Sequence, residues 1–210
     1  WHQTSSREVY GNPWISVTED TVVRPDGSPG IYGVVELRSP AVFVVAIDTS
    51  DRVLLVRVDR YTTGAGWEVP AGGSDGEDPI TAGRRELLEE AGATGGRWSV
   101  AGEVDSLNGI CRAPGTVVLA QGVALGEGLG ADAPAEGITQ IRSVTWSEIA
   151  ELATAGELRD GESLAALALA ALALLACIIA LADPGRSIRE WVNQGVGAEI
   201  LILMDRSRSM

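Results

Sequence analysis

GEDPITAGRRELLEEAG, residues 76–92, decides the fold of this chain because it predicts a short helix that is dense in acidic side chains. Asp78 is a favoured N-cap residue, and Pro79 suits the first helical position, where no backbone N–H is needed. Gly92 stands where a residue in the left-handed conformation ends many helices. The pattern predicts a helix of about three turns between these caps.

Three glutamates of this helix are predicted to share one face. Glu86, Glu89 and Glu90 have the spacing i, i+3 and i+4, which brings side chains together on a helix. The opposite, apolar face is predicted to contain Leu87, Leu88 and Ala91. Carboxylates so close to each other and to the helix C-terminus are unfavourable unless a cation compensates them. Mg²⁺ would do so, because it binds carboxylate and phosphate oxygens together. The alternative is a solvated acidic face beside arginines.

The spacing of the charged residues resembles the signature helix of the Nudix hydrolases. Glu77 is followed after seven residues by Arg85-Glu86-Leu87, then after one residue by Glu89-Glu90, and after one more by Gly92. One position departs from the pattern. The family's motif usually opens with a glycine six residues before the first glutamate, and here that place is Ala71, with Gly72 one residue nearer.

The resemblance implies hydrolysis of a pyrophosphate bond in a nucleoside diphosphate derivative, with Mg²⁺ or Mn²⁺ as cofactor. The implied metal ligands are Glu86, Glu89, Glu90 and the carbonyl oxygen of Ala71. Arg85 and Glu77 are implied to brace the loop against the helix; the alternative is an ordinary surface ion pair.

The family also tends to supply an acidic residue from a late loop for the catalytic water. Glu136 and Asp132 are the nearby acids, and Glu136 is preferred because it directly precedes the strand predicted from Gly137. The loop containing both acids, residues 126–137, is rich in glycine and is predicted to be mobile until substrate binds.

Four upstream segments resemble the ADP-ribose and nucleotide-sugar pyrophosphatase branch: YGNPW from Tyr10, RPDGSPGIYGVVE from Arg24, VLLVRVDRY from Val53 and WEVPAGG from Trp67. Altogether the resemblance covers about Val9 to Ala170.

The branch also suggests candidates for substrate binding. Arg60 lies where the branch places an arginine on the substrate phosphates, for which a planar guanidinium is suited. Arg57 is a second candidate. Trp14 and Tyr32 are candidates for stacking on a base, with core packing as the alternative. The segment NGICRAPG, residues 108–115, has Arg112 and Ala113 where relatives often carry acids.

Composition limits the classes of partner. The formal net charge of −13 argues against a nucleic-acid or anionic-membrane surface. A small anionic nucleoside diphosphate can still bind where arginines and a metal are concentrated. Cys111 and Cys177 belong to no CxxC pattern, so neither a zinc site nor a disulfide framework is expected. No secretory leader is recognisable, so a cytoplasmic location is expected.

The order of elements predicts an α+β protein with a Nudix-type α/β/α layered fold, a mixed sheet and an N-terminal antiparallel strand region. Strands are predicted at 14–23, 30–37, 41–48, 52–58, 115–125 and 137–146, and helices at 147–155 and 163–182. The predicted divisions are a strand region at 1–40, a catalytic domain at 41–162, and an apolar helix with a tail at 163–210. A homodimer is expected, because the resembling branch builds its subunit interface from the N-terminal strands.

Residues 164–182 form an unbroken apolar run that is long enough to cross a bilayer. The alternatives are a membrane span and a helix that packs in its own domain or against a partner. Acidic residues flank the run, and no Trp or Tyr marks either end, so the packed helix is preferred. In the tail, residues 198–204 are predicted to form a strand.

Three functions are compatible with the sequence. The preferred one is pyrophosphate hydrolysis of ADP-ribose or a related nucleotide sugar. The second is a hydrolase that removes unwanted nucleoside triphosphates. The third is a non-catalytic Nudix module that senses a nucleotide, and such modules are expected to lose glutamates that this chain retains.

Overall fold

The computed structural model describes residues 1–182, and it confirms the α+β class. The strands are β1 (His2–Gly11), β2 (Ile15–Val23), β3 (Pro29–Leu37), β4 (Ala41–Asp48), β5 (Val53–Arg60), β6 (Gly64–Glu68), β7 (Ala71–Gly73), β8 (Thr94–Asp105), β9 (Cys111–Arg112), β10 (Pro114–Ala124) and β11 (Ile138–Val144). The helices are α1 (Pro79–Ala91), α2 (Trp146–Thr154) and α3 (Gly161–Ala182).

The central sheet is mixed and has the strand order β11-β5-β4-β10-β8. β4 and β10 run parallel, whereas the other neighbours run antiparallel. β4 and β5 pair directly only at Ile47 and Val53, next to the turn that joins them. Farther along, β6 pairs with β5 and β7 with β4. This arrangement brings β7 beside α1.

Helices cover both faces of this sheet, so the predicted α/β/α layering is confirmed. Because side chains alternate along a strand, every second residue of β4 faces the same layer. Val42 and Val44 pack in a core with Leu87 of α1. The core on the other face consists of Phe43, Val45 and further strand residues with Ile149, Leu152, Leu158, Ala166, Leu167 and Ala170.

A second sheet contains the N-terminal strands in the order β1-β2-β3-β9. The first three strands are antiparallel, and the short β9 from the middle of the chain adds parallel to β3. Arg112 of β9 lies 3.5 Å from the carboxylate of Glu36 on β3, and the neighbouring Ala113 is buried. At the two positions where the resemblance implies acids, this chain therefore has an ion pair within the N-terminal sheet and a buried alanine. Every residue of β1 is exposed.

The apolar helix α3 is covered only in part. Ala166, Leu167 and Ala170 are buried against the central sheet. Leu172 and Ile178 are each 62% exposed. Residues Gly161–Ile179 are long and apolar enough to cross a membrane, and 22% of that window is buried. The domain therefore packs the first half of this helix and leaves apolar side chains of the second half uncovered. The strand predicted at 198–204 lies outside the described residues.

Candidate active site

Helix α1 begins and ends where its sequence predicts. The Asp78 carboxylate accepts hydrogen bonds from the backbone N–H groups of Ile80 and Thr81, both at 3.1 Å. Gly92 has a φ of 60°, and its N–H donates to the carbonyl oxygen of Leu88 at 3.0 Å. These caps fix the length of the helix and hence the places of its glutamates.

The orientation of α1 differs from the prediction. Glu86 and Glu90 are 4% and 2% exposed, whereas Leu88, which was predicted to share the apolar face with Leu87 and Ala91, is 50% exposed. Leu87 and Ala91 are buried, as predicted. The buried stripe therefore runs along residues 86, 87, 90 and 91, because β7 lies against α1 and covers part of its acidic side. The Ala71 backbone N–H of β7 donates to the Glu90 carboxylate at 3.1 Å.

Arg85 joins the glutamate helix to the loop before it. Its Nε donates to Glu77 at 2.9 Å, and its Nη2 donates to the carbonyl oxygen of Gly73 at 2.8 Å. Its Nη1 donates to Glu86 at 2.7 Å and to Glu89 at 3.1 Å. These hydrogen bonds, above all the one from Glu77, raise the pKa of Arg85 further above its ordinary value. One guanidinium thus partly neutralises two of the three clustered carboxylates.

The carboxylate of Glu86 occupies space that only a glycine leaves free. A Cβ atom at Gly72 would lie 2.2 Å from the Glu86 carboxyl carbon. Gly72 follows Ala71, the residue that stands at the usual first glycine of the motif. Gly72, which is shifted by one position from the usual motif glycine, therefore leaves room for the Glu86 carboxylate beside β7.

Burial and mutual repulsion raise the pKa values of the two buried acids, Glu86 and Glu90, above their ordinary value. Burial, the charge of Glu136 and the neighbouring Glu86 raise the pKa of Glu90 to about 9. Burial also raises the pKa of Glu86, while Arg85 opposes that shift. In the absence of a further cation, the site therefore carries protonated or poorly compensated carboxyl groups at neutral pH.

Glu136 and Arg60 come near the buried glutamates from two other elements. Glu136 is exposed on the loop between β10 and β11, and its charge acts on both Glu86 and Glu90. Arg60, at the end of β5, donates to Glu68 through Nη2 at 2.6 Å. This hydrogen bond and the charges of Glu68, Glu90 and Asp160 raise the pKa of Arg60. Glu136 and Arg60 are thus electrostatically coupled to the helix glutamates.

The other predicted substrate-binding residues lie elsewhere. Arg57 is on the opposite face of the central sheet, with its guanidinium 5.7 Å from the Trp67 ring centroid and 3.8 Å from the Glu157 carboxylate. Trp14 is 74% exposed on the N-terminal region, and Tyr32 of β3 contacts Trp1 edge to face at 5.4 Å. Within residues 1–182, none of the three predicted residues hydrogen-bonds to α1.

Two family models match the chain in succession. The model described as the nucleoside diphosphate sugar hydrolase N-terminal domain matches residues 1–35. The NUDIX domain model matches residues 37–167, which is more than half of the chain. The chain belongs to the Nudix hydrolase family. The predicted family and enzyme class, a Nudix pyrophosphatase, are therefore confirmed.

A solved structure supports the same fold. The crystal structure of an ADP compounds hydrolase matches with a TM-score of 0.65 and 21% sequence identity, over 93% of this chain and 96% of that chain. No curated protein sequence matches this Nudix protein.

The donor set of this Nudix site fits a divalent cation. Two buried carboxylates and the half-buried Glu89 supply the oxygen ligands that Mg²⁺ and Mn²⁺ prefer, and burial leaves them short of positive charge. Within residues 1–182, no three acidic, His or Cys side chains are already grouped as ligands. Arg85 engages oxygens of Glu86 and Glu89, so a bound cation would share or replace that contact.

Two residues of the site were not among the sequence candidates. Glu68 pairs with Arg60, and its side chain is only 12% exposed. It could have been found, because Glu68 lies in the WEVPAGG segment and β6 pairs with β5. In the sequence Gly72 is only a displaced motif glycine, and no sequence signal shows that the Glu86 carboxylate fills the space beside it.

Proposed function

We propose that this Nudix protein hydrolyses the pyrophosphate bond of ADP-ribose or a related nucleoside diphosphate sugar, giving a nucleoside monophosphate and a sugar phosphate. The observation that carries the proposal is the convergence of Glu86, Glu90 and Glu136, with Arg60 within electrostatic reach of Glu90. The substrate class is supported by the match of residues 1–35 to the nucleoside diphosphate sugar hydrolase N-terminal domain. The similar solved structure is that of an ADP compounds hydrolase.

The proposed cofactor is Mg²⁺ or Mn²⁺. Glu86 and Glu90 would be the principal ligands, Glu89 a further ligand, and the carbonyl oxygen of Ala71 an additional one. Such an ion would neutralise the charge of the pyrophosphate oxygens in the transition state. The repulsion among these acids in the metal-free chain supports this assignment, because a cation would relieve it.

The remaining steps are assigned to groups of the chain itself. Glu136 would take a proton of the attacking water on its carboxylate. The water oxygen then forms a bond to one phosphorus, the bond from that same phosphorus to the bridging oxygen breaks, and the other phosphate leaves with the bridging oxygen. Arg60 would hold a phosphate oxygen, and its five donors allow it to do so while it keeps the hydrogen bond to Glu68.

We expect kcat/KM to be higher for ADP-ribose than for any nucleoside triphosphate. The measurement compares ADP-ribose, other nucleotide sugars and dGTP on one preparation with MgCl₂ or MnCl₂, and with EDTA as control. AMP and ribose 5-phosphate are the expected products from ADP-ribose. A dGTP value above all the others would favour a triphosphate hydrolase. Binding of nucleotides without any turnover would favour a sensing module.

We also propose that the protein is a homodimer in solution. The N-terminal sheet exposes large apolar side chains, among them Ile31 at 68%, and the second half of α3 exposes Leu172. Uncovered apolar surface of this extent is unusual in a soluble monomer. Light scattering at micromolar concentration should therefore show twice the chain mass of 21.9 kDa.

Two variants locate the dimer surface. If the N-terminal sheet forms the interface, Ile31→Glu should weaken the dimer and Leu172→Glu should not. The reverse result would assign the interface to α3. A 21.9 kDa particle for the unaltered chain would contradict the dimer, and extraction in detergent alone would favour a membrane helix.

A further inference from the structure

The loop between β10 and β11 is docked on the C-terminal end of the glutamate helix. The Gly130 N–H donates to the carbonyl oxygen of Glu90 at 3.0 Å, and the Asp132 N–H donates to that of Glu89 at 3.1 Å. The last carbonyl groups of a helix have no partner within it, so these two bonds supply what α1 lacks. The sequence predicts that this loop is mobile until substrate binds, and these hydrogen bonds define the position that the loop has in the structure.

The docking depends on the absence of a side chain at two loop glycines. A Cβ atom at Gly130 would lie 2.0 Å from the carbonyl oxygen of Glu89 and 2.5 Å from that of Leu88. A Cβ atom at Gly126 would lie 2.5 Å from the carbonyl oxygen of Gly92. These oxygens belong to the backbone of a capped helix, so they cannot turn aside as the end of a side chain can. The loop itself would have to move.

The position of Glu136 follows from this contact. Asp132 begins a tight turn in which its carbonyl oxygen accepts from the N–H groups of Ala135 at 2.9 Å and Glu136 at 3.3 Å. Ala133 within the turn is fully buried in the core beneath α1. After Glu136, the Gly137 carbonyl oxygen accepts from the Asp59 N–H of β5 at 2.9 Å. A short, anchored segment therefore joins Glu136 to the docking contact.

Glu89 and Glu90 thus each contribute to the site through both the side chain and the backbone. Their carboxylates belong to the candidate metal site, and their backbone carbonyl groups hold the loop that carries Glu136. The helix therefore fixes the distance between the candidate metal ligands and the loop acid.

We propose that Gly130 is a positioning residue that holds Glu136 over the helix glutamates for hydrolysis. The inference rests on the proposed function, because it assumes that Glu136 acts on the attacking water. Gly130 would not touch the substrate. It acts by letting the loop approach the carbonyl groups of Leu88 and Glu89, and a larger residue would lift the loop and Glu136 together.

Gly130→Ala tests this, with Gly128→Ala as the matched control. A Cβ atom at Gly128 meets no atom within 4 Å, and neither glycine has a left-handed φ. The two variants therefore make the same chemical change in the same loop. We expect Gly130→Ala to lower kcat for ADP-ribose by about 10²-fold with KM changed by less than about threefold, because displacement of a catalytic group by about 1 Å can have that effect. Gly128→Ala should keep the unaltered kcat.

A double-mutant cycle separates positioning from general loss of structure. If Gly130 acts through Glu136, Gly130→Ala should have no further effect on kcat when Glu136→Gln is already present. An additive loss of kcat, a change in KM alone, or equal kcat values for the two alanine variants would overturn the inference. If Gly130→Ala does not fold, Gly126→Ala provides the same test at the other contact.

Failure of this inference can be told from failure of the proposed function. If the unaltered protein hydrolyses ADP-ribose and Gly130→Ala matches Gly128→Ala, the positioning role alone is wrong. If the unaltered protein cleaves no nucleotide sugar, the proposed function is wrong and the positioning role falls with it.

Discussion

Glu90→Gln should lower kcat by about three orders of magnitude while the fold is retained. Glu90 is buried against β7 and is a proposed principal ligand of the metal. The amide of glutamine can still accept the hydrogen bond from the Ala71 N–H, but it lacks the negative charge. The lost charge stabilises the metal-bound transition state more than the ground state, so kcat should fall more than KM rises. Steady-state kinetics with saturating MgCl₂ measures both values.

The same substitution should stabilise the metal-free protein at alkaline pH. The pKa of Glu90 is about 9 in the folded chain and lies near its ordinary value of 4.5 in the unfolded chain. Between these pH values the folded state binds more protons, so the free energy of unfolding falls as pH rises. Glutamine does not titrate and removes this contribution. In EDTA, the stability difference between Glu90→Gln and the unaltered protein should therefore increase from pH 5.5 to pH 8.5 in urea unfolding.

Glu151→Gln is the control for both measurements, because Glu151 is exposed on α2. It should change neither kcat nor the pH dependence of unfolding. Full hydrolysis by Glu90→Gln, or full hydrolysis by the unaltered protein in EDTA, would contradict the proposed metal-dependent mechanism.

Features that depend on neighbouring residues in the chain could be predicted from sequence. The N-cap, the first-turn proline and the terminal glycine of α1 each act within a few residues, and all three occupy the predicted places. The spacing of Glu86, Glu89 and Glu90 identified the acidic cluster for the same reason. The rotation of α1 buries Glu86 and Glu90 and exposes Leu88. It depends on the contact with β7, so the local spacing of residues cannot predict it.

Five strands, β1, β6, β7, β8 and β9, were not predicted from the sequence, and the two longest of them, β1 and β8, depend on distant partners. β1, HQTSSREVYG, has no buried residue, and its strand conformation depends on pairing with β2. β8 contains Gly95, Gly96 and Gly102, which weaken any local strand signal. A Cβ atom at Gly102 would lie 3.2 Å from the Leu169 side chain, so this glycine allows α3 to approach the sheet.

Alternation along β5 could have distinguished its two candidate arginines. Val58 packs in the core beneath α1, and Arg60, two residues later, has the same parity and lies near Glu90. Arg57 has the opposite parity and packs over Trp67 on the other face. Side chains of a strand alternate between faces, so one strand could not direct both arginines to one phosphate site.

Arg85→Ala should destabilise the metal-free protein by about 3 kcal/mol, because it leaves a buried carboxylate without its cation. Arg85 contacts Glu77, Glu86, Glu89 and the Gly73 carbonyl oxygen, and the Glu86 side chain is only 6% exposed. Arg84→Ala is the matched control, since it removes the same charge from the preceding residue of the helix. Arg84 is exposed, with its guanidinium 5.6 Å from the Trp98 ring centroid. A contact of that kind contributes about 0.5–1 kcal/mol at exposed sites.

If the acids form a cation site, a divalent metal ion should restore much of the stability that Arg85→Ala removes. With Arg85 absent, Glu86 and Glu89 lose the guanidinium that shares their oxygens, so a divalent cation gains more by binding the folded state. Urea unfolding with EDTA and with MgCl₂ should show a larger gain in the free energy of unfolding for Arg85→Ala than for Arg84→Ala. Equal gains would mean that Arg85 and the metal do not act on the same carboxylates. Equal free energies of unfolding for Arg85→Ala and Arg84→Ala in EDTA would mean that the Arg85 contacts contribute no more than an ordinary surface ion pair.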